Sequence, residues 1–408
     1  MSAARLQSLD VVRGVAVMGI LLLNIVGFGM PETAYFNPRA YGGADGLDLA
    51  VYLFNFVLFD GKMRGLFSFL FGASMLLVIE RAEAKGESPA RVHFSRMIWL
   101  LLFGLAHFYL LWFGDILNGY ALIGMVAYLC YRMPPARQVG LALVLLLIAL
   151  SLFVMMLPVT VHFAQLNPAA PGNAAMLRDL TNGFGIPDPS VIQHALTAYR
   201  GDYASVFAAR IEEYPGGPFM MTFLFSWETL AYMLLGMVSL RSGLLRGEWE
   251  PARYRRWAWI AFAISIPAYT ALAVYLINAD FSLFAVALVF ALSIAVRPVM
   301  VFGWMCLIIL LARPGGWLTG RLAAAGRMAF SNYLGTSLIC TTLFYGYGLG
   351  WFGHLGRAEL YLVVLAIWAL ILLWSKPWLD HFRFGPFEWL WRSLARGRPQ
   401  TMFGAAKD

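Results

Sequence analysis

The chain has 408 residues, of which 61% are hydrophobic and 13% charged; its mean hydropathy is +0.70 and its formal net charge is +8. Soluble globular proteins are about 45–50% apolar and about 25% charged, so this composition excludes a soluble protein and indicates one that crosses the membrane many times. The positive charges flank apolar runs, which favours a role in orienting the chain and argues against nucleic-acid binding. The three cysteines stand singly in apolar runs, so we expect neither a metal site nor a disulfide framework.

Apolar runs long enough to cross a bilayer recur along the chain. A span needs about 20 apolar residues, and about ten runs approach that length, near 11–29, 63–80, 96–113, 115–131, 138–161, 219–240, 257–278, 281–312, 328–347 and 358–375. Arg297-Pro298 interrupts the eighth run, where the distribution of Lys and Arg favours one long, kinked span or a re-entrant pair. We therefore predict a single domain over 1–408, an all-α, polytopic integral membrane helix bundle with about ten transmembrane helices and both termini cytoplasmic.

Two segments outside these runs have features of their own. Residues 162–218 form the longest hydrophilic stretch, rich in proline and acidic residues, and in the predicted topology they form an extracytoplasmic loop or cap. Residues 383–398, "RFGPFEWLWRSLARGR", are typical of an amphipathic helix at the membrane interface, with Pro386 at its start. We expect its aromatic residues, including Trp391, to enter the interface and its arginines to meet anionic head groups.

Polar residues inside spans are costly, and each suggests a function. At 1.5 Å per residue, His107 and Asn24 should both lie about 16 Å from the same membrane face. Glu228 would reach a comparable depth, whereas Asp115 would lie about 12 Å further out, at the turn into the next span. A neutral imidazole can act as a general base when a carboxylate or amide orients it. The alternative for each is a structural hydrogen bond or ion pair between helices.

Several cations lie at the ends of spans. Lys62 and Arg64 follow Asp60 at the outer mouth of the second span; they could hold a phosphate or carboxylate, or simply snorkel or pair with Asp60. Arg13 could pair with Asp10 three residues earlier, or contact a phosphate at the inner face. Arg327 begins a span whose first turns are polar and either pack on another helix or line a cavity.

Five motifs together resemble the YeiB-like family, also called domain of unknown function 418. They are "LDVVRGVAVMGILLLNI" (9–25), "GKMRGLFSFLFGAS" (61–74), "GLAHFYLLWFGDILNGYAL" (104–122), "GRMAFSNYL" (326–334) and "FRFGPFEWLWRSL" (382–394). The first motif also resembles the opening helix of the transmembrane acyltransferase superfamily. In one group of those enzymes a catalytic His follows the Arg at the position that Asn24 occupies here, and an amide cannot replace a general base. The lysosomal group, which has Asn there, is the more similar.

The acyltransferase resemblance implies acyl-CoA as a co-substrate from the cytoplasm and an envelope glycan, lipid or small molecule as acceptor, in the bacterial inner membrane. It implies His107 as base, with Asn24 orienting the acceptor or binding the oxyanion. Asp115 and Glu228 complete the candidate catalytic group. The candidates for binding the co-substrate are Arg13, Lys62, Arg64 and Arg327.

Two other functions compete with acyl transfer. A transporter or efflux protein for a small hydrophobic or anionic compound would use Lys62, Arg64, Glu228 and His107 to line its pathway. A lipid-binding or scaffold protein would have an occluded midplane in which neighbouring groups satisfy His107. Membrane lipids and the acceptor are the expected partners, nucleic acid is not, and the oligomeric state is open, with a homodimer among the alternatives.

Overall fold

The computed structural model describes residues 4–165, 181–182, 184–214 and 216–404. Within those ranges the fold is helical and contains no β-strand; a single antiparallel bridge joins Phe382 to Phe403. Part of the predicted cap, residues 166–180, 183 and 215, lies outside the described residues. The helices are α1 (Ala4–Gly29), α2 (Thr33–Phe36), α3 (Gly46–Leu58), α4 (Lys62–Ala84), α5 (Pro89–Leu110), α6 (Leu117–Ala127), α7 (Pro135–Val154), α8 (Leu157–Gln165), α9 (Pro189–Tyr199), α10 (Tyr203–Glu213), α11 (Gly217–Arg241), α12 (Pro251–Asn278), α13 (Leu283–Leu311), α14 (Trp317–Arg327), α15 (Ala329–Phe344), α16 (Arg357–His381) and α17 (Pro386–Arg396).

The described residues contain eight segments that are long and apolar enough to cross a membrane. Two of the predicted runs form shorter helices: 115–131 becomes α6 with a 3₁₀ turn, and 328–347 becomes α15. At 1.5 Å per residue, each is shorter than the roughly 30 Å hydrocarbon core. The eight segments are Gln7–Gly29, Gly46–Ala84, Pro89–Leu110, Pro135–His162, Gly217–Arg241, Pro251–Asn278, Leu283–Leu311 and Arg357–His381.

The interrupted run at 281–312 is one continuous helix, α13, with Pro298 inside it. Proline removes one helical hydrogen bond but does not end a helix whose neighbours support the freed carbonyl group. The preceding residue, Arg297, is consequently held in the interior of the bundle, where its side chain is 4% exposed.

Helix α1 lies at the centre of the bundle and packs against α4, α13, α14, α15 and α16. Val12, Ala16 and Ile25 on this helix are fully buried. Neighbouring helices also bind its backbone: the Tyr361 hydroxyl donates to the Leu22 carbonyl at 2.8 Å, and the Trp368 indole to that of Met18 at 2.9 Å. The first motif therefore forms the core against which the motifs at 61–74 and 326–334 pack.

The C-terminal helix α17 covers the predicted amphipathic segment, but protein contacts occupy two of its side chains. The Trp391 indole donates to the carbonyl of Arg96 at 2.9 Å. The Glu388 carboxylate accepts bonds from the backbone N–H groups of Phe330 and Ser331, at the start of α15. The Trp391 ring packs between Arg96 and Phe330, so part of its surface contacts the protein, and the position of this helix at the membrane interface stays a prediction.

Candidate functional site

A cavity of about 260 Å³ lies between α1, the start of α4, the α5–α6 loop, α11 and α13. Its wall is largely aromatic and aliphatic, with a limited set of polar groups, as is typical of small-molecule sites. The ionisable, amide and hydroxyl side chains in the wall are those of Asn24, Glu32, Tyr35, Asp60, Arg64, Asp115, Tyr120, Tyr214, Thr222, Thr229 and Arg297.

A buried histidine–aspartate pair stands at one wall of this cavity. Nδ1 of His107 lies 2.8 Å from Oδ1 of Asp115, and the two side chains are 1% and 0% exposed. Asp115 contributes to the wall together with Trp112 and Gly114, whereas the imidazole lies immediately behind them. The pair therefore adjoins the cavity without being open to bulk water.

The pair forms because α5 ends only three residues after His107. The backbone N–H groups of Leu111 and Trp112 both bond the His107 carbonyl, and the chain then turns back into α6. Our expectation that Asp115 lies about 12 Å beyond His107 was wrong, because it extended the helical rise through this turn. A Cβ at Gly104 would lie 2.3 Å from the Asn118 backbone nitrogen, so glycine is what lets α6 approach α5 so closely.

Hydrogen bonds also hold the second oxygen atom of Asp115. Oδ2 accepts the backbone N–H of Asn118 at 2.8 Å and its side-chain N–H at 2.7 Å. A carboxylate accepts hydrogen bonds, so Nδ1 of His107 is the donor in the contact with Oδ1. Nε2 is buried and has no hydrogen-bond partner within the described ranges, which leaves its lone pair free to accept a proton.

Three further residues support the pair. The Thr222 hydroxyl on α11 donates to Oδ1 of Asn118 at 2.8 Å and orients that amide toward Asp115. The Tyr333 ring lies 5.2 Å from the imidazole, and its hydroxyl accepts the N–H of Ile116. Sequence reasoning did not single out Asn118 or Thr222, although an Asp followed three residues later by the first turn of a helix is a recognisable capping signal.

Asn24 of α1 also lines the cavity. Its side chain is half-buried and has no hydrogen-bond partner in the described part of the chain. The structure therefore brings Asn24 and Asp115 to one cavity with His107 directly behind its wall. A free amide can donate to an oxygen atom of a bound molecule.

A second charged group lines another wall. The Glu228 carboxylate accepts from Arg64 at 2.5 Å and from Arg297 at 2.8 Å, and the Tyr232 hydroxyl donates to it at 3.0 Å. Glu228 is thus joined to Arg64 and lies apart from the His107 pair in the hydrogen-bond network. We did not single out Arg297 as a site residue; its position in the middle of an apolar run was the available signal.

The other predicted cations do not line the cavity. Lys62 is fully buried, donates to the Phe56 carbonyl at 2.5 Å and lies over the Tyr269 ring at 3.3 Å. Arg13 bonds Asp10 at 2.9 Å and Ser74 at 2.7 Å, near the opposite end of α1 from Asn24. Arg327 interacts electrostatically with Asp10 in the same region.

Residues of the predicted cap reach the cavity mouth. The Tyr214 ring stacks on Phe113 at 5.0 Å, and its hydroxyl donates to the Glu32 carboxylate. Arg210, fully buried, donates to the carbonyls of Tyr109 and Leu111 at 2.7 and 3.0 Å. The end of α10 therefore covers the cavity and binds the loop that carries Asp115.

Comparison with known proteins agrees with the motifs. The chain is 31% identical to "Uncharacterized protein YeiB" of Escherichia coli (strain K12), over 95% of each chain. It belongs to the YeiB-like family. It is also 31% identical to "Uncharacterized protein YxaH" of Bacillus subtilis (strain 168), over 95% of this chain and 94% of that one. The model of the family "Protein of unknown function (DUF418)" matches residues 239–398 of this YeiB-like chain.

Proposed function

We propose that this multi-pass membrane protein is an acyltransferase that moves an acyl group from acyl-CoA to a hydroxyl or amine of an envelope glycan, lipid or small molecule. The observation that carries the proposal is the buried pair of His107 and Asp115 beside the cavity, with Nε2 of the imidazole unpartnered within the described residues. Buried polar atoms are normally hydrogen-bonded, so an unpartnered ring nitrogen beside a cavity favours a role toward a bound molecule. We further propose that the protein acts in the bacterial inner membrane.

In the proposed reaction, His107 is the general base. Nε2 takes the proton of the acceptor hydroxyl or amine while that oxygen or nitrogen atom attacks the thioester carbonyl carbon. The carbon–sulfur bond then breaks, and the imidazolium returns the proton to the departing CoA thiolate. Asp115 holds the imidazole in the reactive tautomer and stabilises its positive charge during the transfer.

Asn24, on α1, supplies the complementary function. The carbonyl oxygen of the thioester gains negative charge in the transition state, and a pre-positioned N–H donor stabilises that charge. The unpartnered amide of Asn24 suits this role, or that of orienting the acceptor. We propose Arg13 and Arg327, at the far end of α1 and α14, as the contacts of the CoA phosphates, because both could donate to phosphate oxygens.

The proposal is tested with the purified protein in lipid nanodiscs, given radiolabelled acetyl-CoA and an envelope extract as acceptor. Release of free CoA thiol and incorporation of label are followed for the wild type, His107→Asn and His93→Asn. His93 is the matched control, since it is a buried histidine on the same helix whose Nε2 contacts the Gly124 carbonyl at 3.0 Å.

We expect incorporation by the wild type and by His93→Asn, and its loss in His107→Asn. Equal incorporation by folded His107→Asn would refute the role of the histidine. A folded wild type that releases no thiol and transfers no label would refute acyl transfer. In that case, movement of an anionic compound across sealed vesicles without consumption of acyl-CoA would identify the alternative, a transporter.

A further inference from the structure

The cavity contains a second polar centre that acyl transfer chemistry does not use. Arg64 of α4 and Arg297 of α13 converge on the single carboxylate of Glu228, and both arginines line the cavity. Two guanidinium groups share one carboxylate, so the three residues have a formal charge of +1. Arg64 is the more accessible of the two arginines: 21% of its side chain is exposed, against 4% for Arg297.

A second carboxylate, that of Asp60, also borders the cavity and interacts electrostatically with both Lys62 and Arg297. Asp60 forms no ion pair with Arg64 or Arg297 within the described residues, so Glu228 is the carboxylate that both guanidinium groups contact. Nε of Arg297 is buried and has no hydrogen-bond partner in the described ranges. A positively charged residue in the interior of a membrane span is costly, and such residues commonly face a substrate pathway or cavity.

Aromatic rings adjoin the two cations on the cavity side. The Arg64 guanidinium lies 5.0 Å from the centre of the Phe225 ring, and that of Arg297 lies 5.9 Å from the centre of the Phe290 ring. Both rings line the cavity. The site therefore combines an anion-binding end with an apolar surface, and this combination fits a molecule with one charged group and an apolar body.

We infer that the cavity binds an amphipathic anion, with a carboxylate or phosphate on Arg64 and Arg297 and its apolar portion along Phe225 and Phe290. Its identification as the acceptor rests on the proposed acyl transfer, whereas binding itself does not. On that basis, the acceptor carries its hydroxyl or amine group at a distance from its acidic group, so that the former lies at the wall in front of His107 when the latter is bound.

The test is equilibrium binding of radiolabelled octyl phosphate and octanoate to the protein in nanodiscs without acyl-CoA, after subtraction of binding to empty discs. Octanol is the uncharged control, and inorganic phosphate is the control that lacks the apolar chain. Arg64→Gln removes the accessible charge but keeps the pair of Arg297 and Glu228, so it should fold. Arg39→Gln is the matched control, because Arg39 pairs with Asp280 and does not line the cavity.

We expect Arg64→Gln to weaken binding of either octyl anion by about tenfold or more, as loss of a charge-assisted contact implies. Arg39→Gln should bind the octyl anions as tightly as the wild type, and the affinity for octanol should stay unchanged. Glu228→Gln, if folded, should bind the anions more tightly because the competing carboxylate charge is gone. Octyl phosphate that binds no better than octanol would overturn the anionic part of the inference, and inorganic phosphate that binds as well as octyl phosphate would overturn the apolar part.

The transfer assay and the binding assay fail independently. Anion binding without any transfer of label would support the anion site and refute the proposed function. If neither anion binds, and Arg64→Gln transfers label as the wild type does, the anion site is refuted and the proposed function is supported.

Discussion

His107 and Asp115 are joined by a hydrogen bond of 2.8 Å although they lie on opposite sides of a helix end, His107 in the last turn of α5 and Asp115 just before α6. Their contact depends on the early end of α5 and on the close approach of α6 at Gly104. The site therefore combines a hydrogen-bonded pair with the turn that creates it, and both can be tested separately.

Asp115→Asn should reduce the rate of acyl transfer by about 10²- to 10⁴-fold, the range typical of a lost general-base contribution. An amide bears no charge to stabilise the imidazolium, and its N–H group can favour the wrong tautomer. The measurement is the kcat for CoA release, with thermal unfolding as the check on folding. Asp60→Asn is the control, since that carboxylate borders the cavity but is not bonded to His107. A rate within a factor of two of wild type would exclude the proposed role of Asp115.

Gly104→Ala should destabilise the protein by about 1–3 kcal/mol, as is usual for overpacking a tight contact. The new Cβ would lie 2.3 Å from the Asn118 nitrogen and must push α6 away from α5. Thermal unfolding of Gly104→Ala is compared with that of Gly140→Ala, where a Cβ meets nothing within 4 Å. Equal melting temperatures for the two variants would show that the close approach of α5 and α6 is unimportant.

Arg210→Lys should speed hydrogen exchange in residues 107–116. The buried guanidinium binds two carbonyls at the end of α5, and a lysine ammonium cannot reproduce that paired geometry. Exchange is measured by mass spectrometry on the protein in nanodiscs. The control is Arg241→Lys, which removes similar contacts to the carbonyls of Tyr131 and Met133 and should affect that turn alone. Unchanged protection of 107–116 in Arg210→Lys would contradict the coupling between cap and site.

Glu388 should make stability depend on pH. Burial raises the pKa of its carboxyl group above the ordinary value, although hydrogen bonds from Ser331 and Phe330 oppose this shift. A raised pKa means that the folded state binds the proton more tightly than the unfolded state, so stability falls as the pH rises from the ordinary glutamate value of about 4.3 toward the raised value. The melting temperature of the wild type should therefore fall relative to that of Glu388→Gln as the pH rises over that interval. A difference in melting temperature that does not change with pH would contradict this account.

The sequence predicted the helical membrane fold and singled out His107 as a candidate, because both follow from local patterns. Apolar runs report burial directly, and a histidine within one is conspicuous. The same reasoning misplaced Asp115, since helical rise cannot be extended through a turn whose position is set by contacts between helices. It also grouped Lys62 with Arg64, although only Arg64 borders the cavity.

Contacts between residues far apart in the sequence could not be predicted for the same physical reason. Arg297 and Glu228 are 69 positions apart and meet only because α11 and α13 both pack against α4. Asn118 and Thr222 are 104 positions apart, and their bond depends on how α6 packs against α11. Such pairs follow from tertiary packing, which a single sequence does not contain in readable form.

The central claim is that His107 removes a proton during acyl transfer. The most direct measurement is the single-turnover rate of acyl transfer at an acyl-CoA concentration well above its dissociation constant. We predict that His107→Asn binds acyl-CoA as tightly as the wild type but transfers the acyl group at least about a hundredfold more slowly. Equal single-turnover rates in the two proteins, both folded and both loaded with acyl-CoA, would contradict the claim.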